Sequence, residues 1–197
     1  MIAPRVAGVA LALLIIALAA CTSAPSVPGN VADAGAADAP FNIGGRLSAK
    51  RGTAGSAAVF DWNHDGTRDR IDLASPFGQV YARVNSASDG VVVLRPGGET
   101  ERYPDWSAMT VALLGAPVPM NDLAYWIRGA ARAGVQSSVE RDAQGRALVL
   151  RQEAWEIAYA YADDAPSAHP SRVVLKYPDV EPIEVRVVID RWNAASP

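Results

Sequence analysis

Ile183-Glu184-Val185-Arg186-Val187-Val188-Ile189-Asp190-Arg191-Trp192 has the period of a half-buried β-strand, with Ile183, Val185, Val187 and Ile189 on one face and Glu184, Arg186 and Asp190 on the other. The same alternation runs outward from it. Trp155, Ile157, Tyr159 and Tyr161 share a face, another strand is expected from Arg172 to Tyr177, and further ones at Val135 to Arg141 and Leu148-Val149-Leu150. In the first half of the chain Ala58, Phe60 and Trp62 fall on one side, then Ile71 and Leu73, then Val80, Ala82 and Val84. Asp65-Gly66, Ser75-Pro76-Phe77-Gly78, Asp89-Gly90 and Pro96-Gly97-Gly98 punctuate these runs at short intervals, which is the rhythm of consecutive antiparallel hairpins.

The middle of the chain changes period. Asp105 can cap a helix that carries Trp106, Met109, Val111, Leu113 and Leu114 and ends at Gly115, before Ala116-Pro117-Val118-Pro119 stops it. A second helix is expected with Asn121 or Asp122 as its cap, Leu123, Trp126 and Ile127 as its apolar stripe and Gly129 as its end. The expected fold is therefore mostly β: one large curled antiparallel sheet forming an open, incomplete barrel, with short α-helices covering its mouth to bury their stripes. The interior of such a barrel can be cavity as well as core.

Upstream of Phe41 the reading is of address. The apolar run Val9 to Ala20 is shorter than the ~20 residues that span a bilayer, follows a short segment with Arg5, and leads into Ala, Pro, Gly and Asp. Leu18-Ala19-Ala20-Cys21 at its end is a lipobox, so residues 1–20 are expected to be a lipoprotein signal peptide and Cys21 the lipid attachment site. An ordinary small-residue cleavage site with an incidental cysteine is the other reading, but Cys21 is the only cysteine in the chain and sits at the cleavage point. No cofactor is expected beyond the covalent N-acyl and S-diacylglycerol groups on Cys21, whose methylenes contribute ~0.8 kcal/mol each on burial in the membrane. Residues 21–40, rich in Ala, Pro, Ser, Gly and Asp, read as a flexible tether; a short helix over Val31 to Ala39 is the other reading, though Gly35 interrupts it and no apolar stripe forms there. Residues 41–197 read as a single domain.

The net charge is −3 with both signs scattered, and loss of Arg5 with the leader makes it one unit more negative. No basic stripe suggests nucleic acid. With no second cysteine the domain can form no internal disulfide and must hold by packing. His64 and His169 lie in loop-like contexts and are expected to be solvated, as is Asp163-Asp164, while no Gly-x-Ser-x-Gly elbow, phosphate loop or metal-ligand spacing occurs. The chain is not expected to be an enzyme.

Several stretches, in this order behind a lipobox, resemble the LolB family of outer-membrane lipoproteins. They are Gly45-Arg46-Leu47, Phe60-Asp61-Trp62, Leu73-Ala74-Ser75-Pro76-Phe77-Gly78, Leu114-Gly115-Ala116-Pro117-Val118-Pro119, Leu123-Ala124-Tyr125-Trp126-Ile127-Arg128-Gly129, Trp155 with Tyr159 and Tyr161, and Ile189-Asp190-Arg191-Trp192. The resemblance covers roughly Phe41 to Trp192. It implies a LolA/LolB-like open barrel that accepts lipoproteins from the periplasmic carrier LolA and inserts them into the inner leaflet of the outer membrane without nucleotide. Thr22 after the cysteine, in place of an Asp retention signal, agrees with the outer membrane, periplasmic face.

Phe77 sits between Pro76 and Gly78 in a hairpin loop. From the residues alone its ring either folds back into the core or stands in water; the resemblance implies an exposed membrane-insertion loop of Pro76, Phe77 and Gly78, although familiar relatives have Leu at the central position. The resemblance also implies that the interior takes acyl chains, with Trp62, Ile71, Leu73, Leu94, Trp126, Ile157 and Tyr159 lining it; the plainer reading of each is core packing. The expected partners are LolA, cargo lipoproteins and the outer membrane, and the chain is expected to be a monomer. The alternative is a lipid-anchored periplasmic binding module for another apolar ligand, such as a free lipid or a lipopolysaccharide component.

Overall fold

A computed structural model describes residues 39–194. The expected leader, Cys21 and the expected tether up to residue 38 lie outside the described residues, as does the alternative short helix over Val31 to Ala39 save its last position.

The strands are β1 (Phe41–Arg51), β2 (Ala54–His64), β3 (Asp69–Ala74), β4 (Val80–Ala87), β5 (Gly90–Leu94), β6 (Thr100–Tyr103), β7 (Ser137–Arg141), β8 (Ala147–Gln152), β9 (Trp155–Tyr161), β10 (Pro170–Tyr177) and β11 (Ile183–Ala194). Between β6 and β7 come α1 (Trp106–Leu114) and α2 (Met120–Trp126). The described residues form one 11-stranded sheet in the order β6-β5-β4-β3-β2-β1-β11-β10-β9-β8-β7, each neighbouring pair antiparallel. Two meanders thus meet where the first strand pairs with the last. The edge strands β6 and β7 are joined in the chain by the segment that carries both helices, so the helices lie across the open side.

One face of nearly every strand feeds a single apolar core: Phe41 and Ile43 from β1, Phe60 and Trp62 from β2, Ile71 and Leu73 from β3, Val84, Val91 and Val93 from β4 and β5, and Leu150, Ile157, Leu175 and Val187 from the second meander. Helix α1 forms as its sequence predicts. Asp105 caps it, its carboxylate accepting the Ala108 N–H at 2.8 Å, and Gly115 closes it at φ 75°, its N–H donating to the Val111 carbonyl at 3.0 Å.

Three expectations are corrected. Helix α2 begins two or three residues earlier than its polar residues suggested, with Pro119 in the cap position and no side-chain cap; Asp122 instead turns inward and is buried. Val80 is 43% exposed, because Leu73 pairs with Ala82 but Ala74 with Val80, so the extra residue Tyr81 bulges β4 and turns Val80 outward. His64 is the last residue of β2 and buried, its Nδ1 2.8 Å from Asp69 Oδ1 and its ring stacked on Phe41, whereas His169 is exposed at one face and stacks on Trp192.

Candidate functional site: an apolar interior and a protruding loop

The sheet and the helices enclose a wholly apolar cavity. Its floor is Leu47, Phe60, Trp62, Ile71, Val185 and Val187, from four neighbouring strands, and its roof is Leu114, Val118, Met120, Leu123 and Ile127, from the helices and their connection. The volume is about 40 Å³, well below the ~300–1,000 Å³ of sites that enclose a small molecule. The interior is therefore nearly filled, apolar throughout but without room for an acyl chain.

Of the residues expected to line it, Trp62 and Ile71 do. Leu73, Trp126, Ile157 and Tyr159 are buried in the core without reaching the cavity wall. Leu94 is misplaced by the expectation: it is 39% exposed, because Val91 and Val93 take the inward positions of β5 and strand alternation sends Leu94 out. The roof residues were missed, although the spacing of Leu123 and Ile127 marks the stripe that places them. Tyr159 has a buried hydroxyl without a hydrogen-bond partner, and burial raises its pKa.

The roof is attached unevenly. Ser56 Oγ donates to the Leu114 carbonyl at 3.1 Å, tying the end of α1 to β2. Thr110 Oγ1 accepts the Val118 N–H at 2.9 Å, which stitches α1 to the connection rather than to the sheet. The far end of α2 is held harder: Trp126 Nε1 donates to Gln152 Oε1 at 2.8 Å, and Gln152 also accepts from Arg132 N and donates to the Arg132 and Val135 carbonyls. Asp122 lies 2.8 Å from Arg132 Nε, close enough for an ion pair but without hydrogen-bond alignment; burial raises its pKa more than Arg132 lowers it.

Phe77 is 98% exposed. Its loop is a closed structure: Gly78 N–H donates to the Ser75 carbonyl and Ser75 N–H to the Gln79 carbonyl, both at 2.9 Å. Pro76 sets the first turn position, and Gly78 takes φ 83°, where a side chain would be strained. The ring is displayed at the apex of a rigid three-residue hairpin loop, with Val80 exposed beside it.

Fold and site together define an open antiparallel barrel whose apolar interior is roofed by helices and whose rim carries an aromatic tip. The family model described as outer membrane lipoprotein LolB matches residues 39–192, and the chain belongs to that family. It is 36% identical over 189 residues to the outer-membrane lipoprotein LolB of Chromobacterium violaceum, covering 96% of this chain and 98% of the relative. It is 33% identical to that of Cupriavidus metallidurans, over 93% of this chain and 96% of the relative. Among solved structures, a LolA superfamily protein from Nitrosomonas europaea matches with a TM-score of 0.50 at 8% identity, over 81% of this chain and 88% of that one, which is a likeness of fold. No helix among the described residues is long and apolar enough to cross a membrane.

Proposed function

We propose that this chain is the lipid-anchored receptor that takes lipoproteins from the periplasmic carrier LolA and passes them into the inner leaflet of the outer membrane. Residues 1–20 serve as leader, Cys21 carries the lipid, 21–40 form the tether, and the barrel acts as a monomer. The observation that carries this reading is the pairing of a wholly apolar interior under helices with a fully exposed Phe77 on the rim. Acyl chains enter the interior when the roof lifts at its lightly held end, near Ser56 and Leu114, while the Gln152 clasp keeps the other end of α2 in place. Transfer between two apolar environments is nearly neutral, so a modest ordering of affinities from carrier to receptor to membrane sets the direction without nucleotide. Phe77 then dips into the leaflet, where burial of a ring is worth roughly 1.5–3 kcal/mol, enough to engage lipid and too little to anchor.

The test is to mix the protein with LolA carrying a lipoprotein, without nucleotide, and measure cargo on each after separation, then in added vesicles. Transfer to this chain is expected. Phe77→Glu should fold and accept cargo normally, since the ring touches nothing, and deliver at least several-fold less to vesicles. Failure of the unsubstituted protein to take cargo, with LolA competent, would leave a binding module for another apolar ligand.

A further inference from the structure

Only two large apolar side chains among the described residues stand almost wholly in water: Phe77 at 98% and Val180 at 97%, the next being Val111 at 44%. Val180 is the apex of the β10–β11 hairpin. In the antiparallel sheet β1, β3 and β10 run the same way, so the β1–β2 turn, the Phe77 loop and the Val180 loop lie along one rim. Four strand spacings separate the two tips, about 19 Å across the strands, and the register sets Ala74 level with Arg46 but Tyr177 level with Arg51, a stagger of about 16 Å, so the tips stand about 25 Å apart over the sheet surface.

The Val180 loop is braced. Pro178 and Pro182 frame it, Gly52 N–H donates to the Pro182 carbonyl at 3.4 Å, and Val180 N–H donates to Asp179 Oδ1 at 2.7 Å. Arg51 lies 3.5 Å from carboxylate oxygens of both Asp179 and Glu181, the two acids that flank the valine, so their charges are matched where the loop meets its surroundings. Lys50, exposed at the same corner, leaves the rim there without excess negative charge. A flexible loop could fold its valine inward; this one cannot without breaking the brace.

We infer that Val180 is a second lipid-contacting tip, and that Val180 and Phe77 together seat the barrel on the bilayer in one orientation. The inference rests on the reading of Phe77 as a membrane-contacting residue. A single ring is a pivot, whereas two apolar points on one rim define the tilt, and the charge-matched base of the second lets it approach headgroups without stranding a carboxylate.

The test uses the mature, lipidated chain in phosphatidylethanolamine/phosphatidylglycerol vesicles doped with doxyl-labelled phospholipid. Single cysteines are placed by Val180→Cys, Phe77→Cys and, on the β4–β5 turn of the opposite rim, Ser88→Cys; each carries an environment-sensitive NBD group, and the unsubstituted chain is the labelling control. All three sites are exposed, so folding should be unaffected. The labels at 77 and 180 should both shift to the blue and be quenched at least threefold more than the label at 88. If 77 is quenched while 180 behaves like 88, the second tip is wrong and the reading of Phe77 survives. If neither is quenched, both fall. Protection of 180 by loaded carrier without lipid would make it a protein contact and overturn the inference.

Discussion

Gly44 and Gly45 explain why the residues that betray the family are mostly not residues of its site. A Cβ on Gly45 would lie 2.0 Å from the Val188 carbonyl oxygen, where β11 bulges between its pairings with Gly44 and Gly45. One on Gly44 would strike the Arg191 guanidinium, which crosses that glycine to reach Asp61 at 2.6 Å. Arg46 meets Asp190 through two hydrogen bonds, at 3.0 and 3.1 Å. The Gly45-Arg46-Leu47, Phe60-Asp61-Trp62 and Ile189-Asp190-Arg191-Trp192 stretches are thus one seam, holding first strand to last. Gly45→Ala should destabilise by about 3 kcal/mol or more, since the obstacle is backbone that cannot swing aside, and urea unfolding would measure it. The exposed ion pairs beside it should add little to stability, because water screens them. Phe77 was legible as an odd residue in a loop, yet sequence left its ring's direction open, because only the folded loop, where the ring is almost wholly exposed, shows that no core residue packs on it. His64 was misread for a related reason: Asn63-His64-Asp65-Gly66 looks like a turn, but pairing with Asp69 and stacking on Phe41 extend the strand.

At the scale of elements, the alternation gave the strands well because each has one buried face, while the faults fell where an irregularity intervenes, as at the Tyr81 bulge, or where a strand ends, as at Leu94. Helix α2 shows a polar residue recruited for something other than capping. Gln152 reads as an ordinary polar residue at the end of β8, but its amide satisfies the Trp126 indole, the Arg132 N–H and two carbonyls, and so fixes α2 and the segment after it to the sheet. Gln152→Leu should cost on the order of 3 kcal/mol, because it strands buried donors and acceptors rather than removing a pair, and thermal melting would show it. Asp122 acts in the opposite sense. A carboxyl whose pKa is raised by burial holds its proton more tightly folded than unfolded, so its favourable contribution is present at low pH and is lost as pH rises through the carboxylate range. Asp122→Asn should therefore melt higher than the unsubstituted protein at neutral pH, by about 2–4 °C if the buried charge costs about 1 kcal/mol. The gap should close as pH falls below the carboxylate range, and melts across that range would check it.

For the whole molecule, the end at which the chain enters the barrel matters as much as what the barrel contains. β1 starts at the rim opposite the Phe77 and Val180 tips, where the Arg128 guanidinium binds the Ala39 carbonyl. Its 11 residues span about 36 Å at ~3.3 Å each, and a barrel tilt of ~35–45° reduces the height to about 27 Å. If Cys21 carries the anchor, the tips can touch the same leaflet only when the tether doubles back along the barrel. The tether proposed above, about 20 residues if flexible, would have a relaxed span of about 25 Å and a stretched reach of about 65 Å, enough for this with little tension. Deleting residues 24–37 leaves about five linker residues and a reach of about 17 Å, short of the barrel's height. The shortened chain should remain membrane-bound and take cargo from the carrier as before, because neither step needs the tips at the bilayer. Delivery into the membrane should fall as far as with Phe77→Glu, and a Gly/Ser stretch of the deleted length should restore it, since reach rather than sequence is at issue. Delivery that survives the deletion would mean that the barrel passes its cargo on from the rim where its own tether begins.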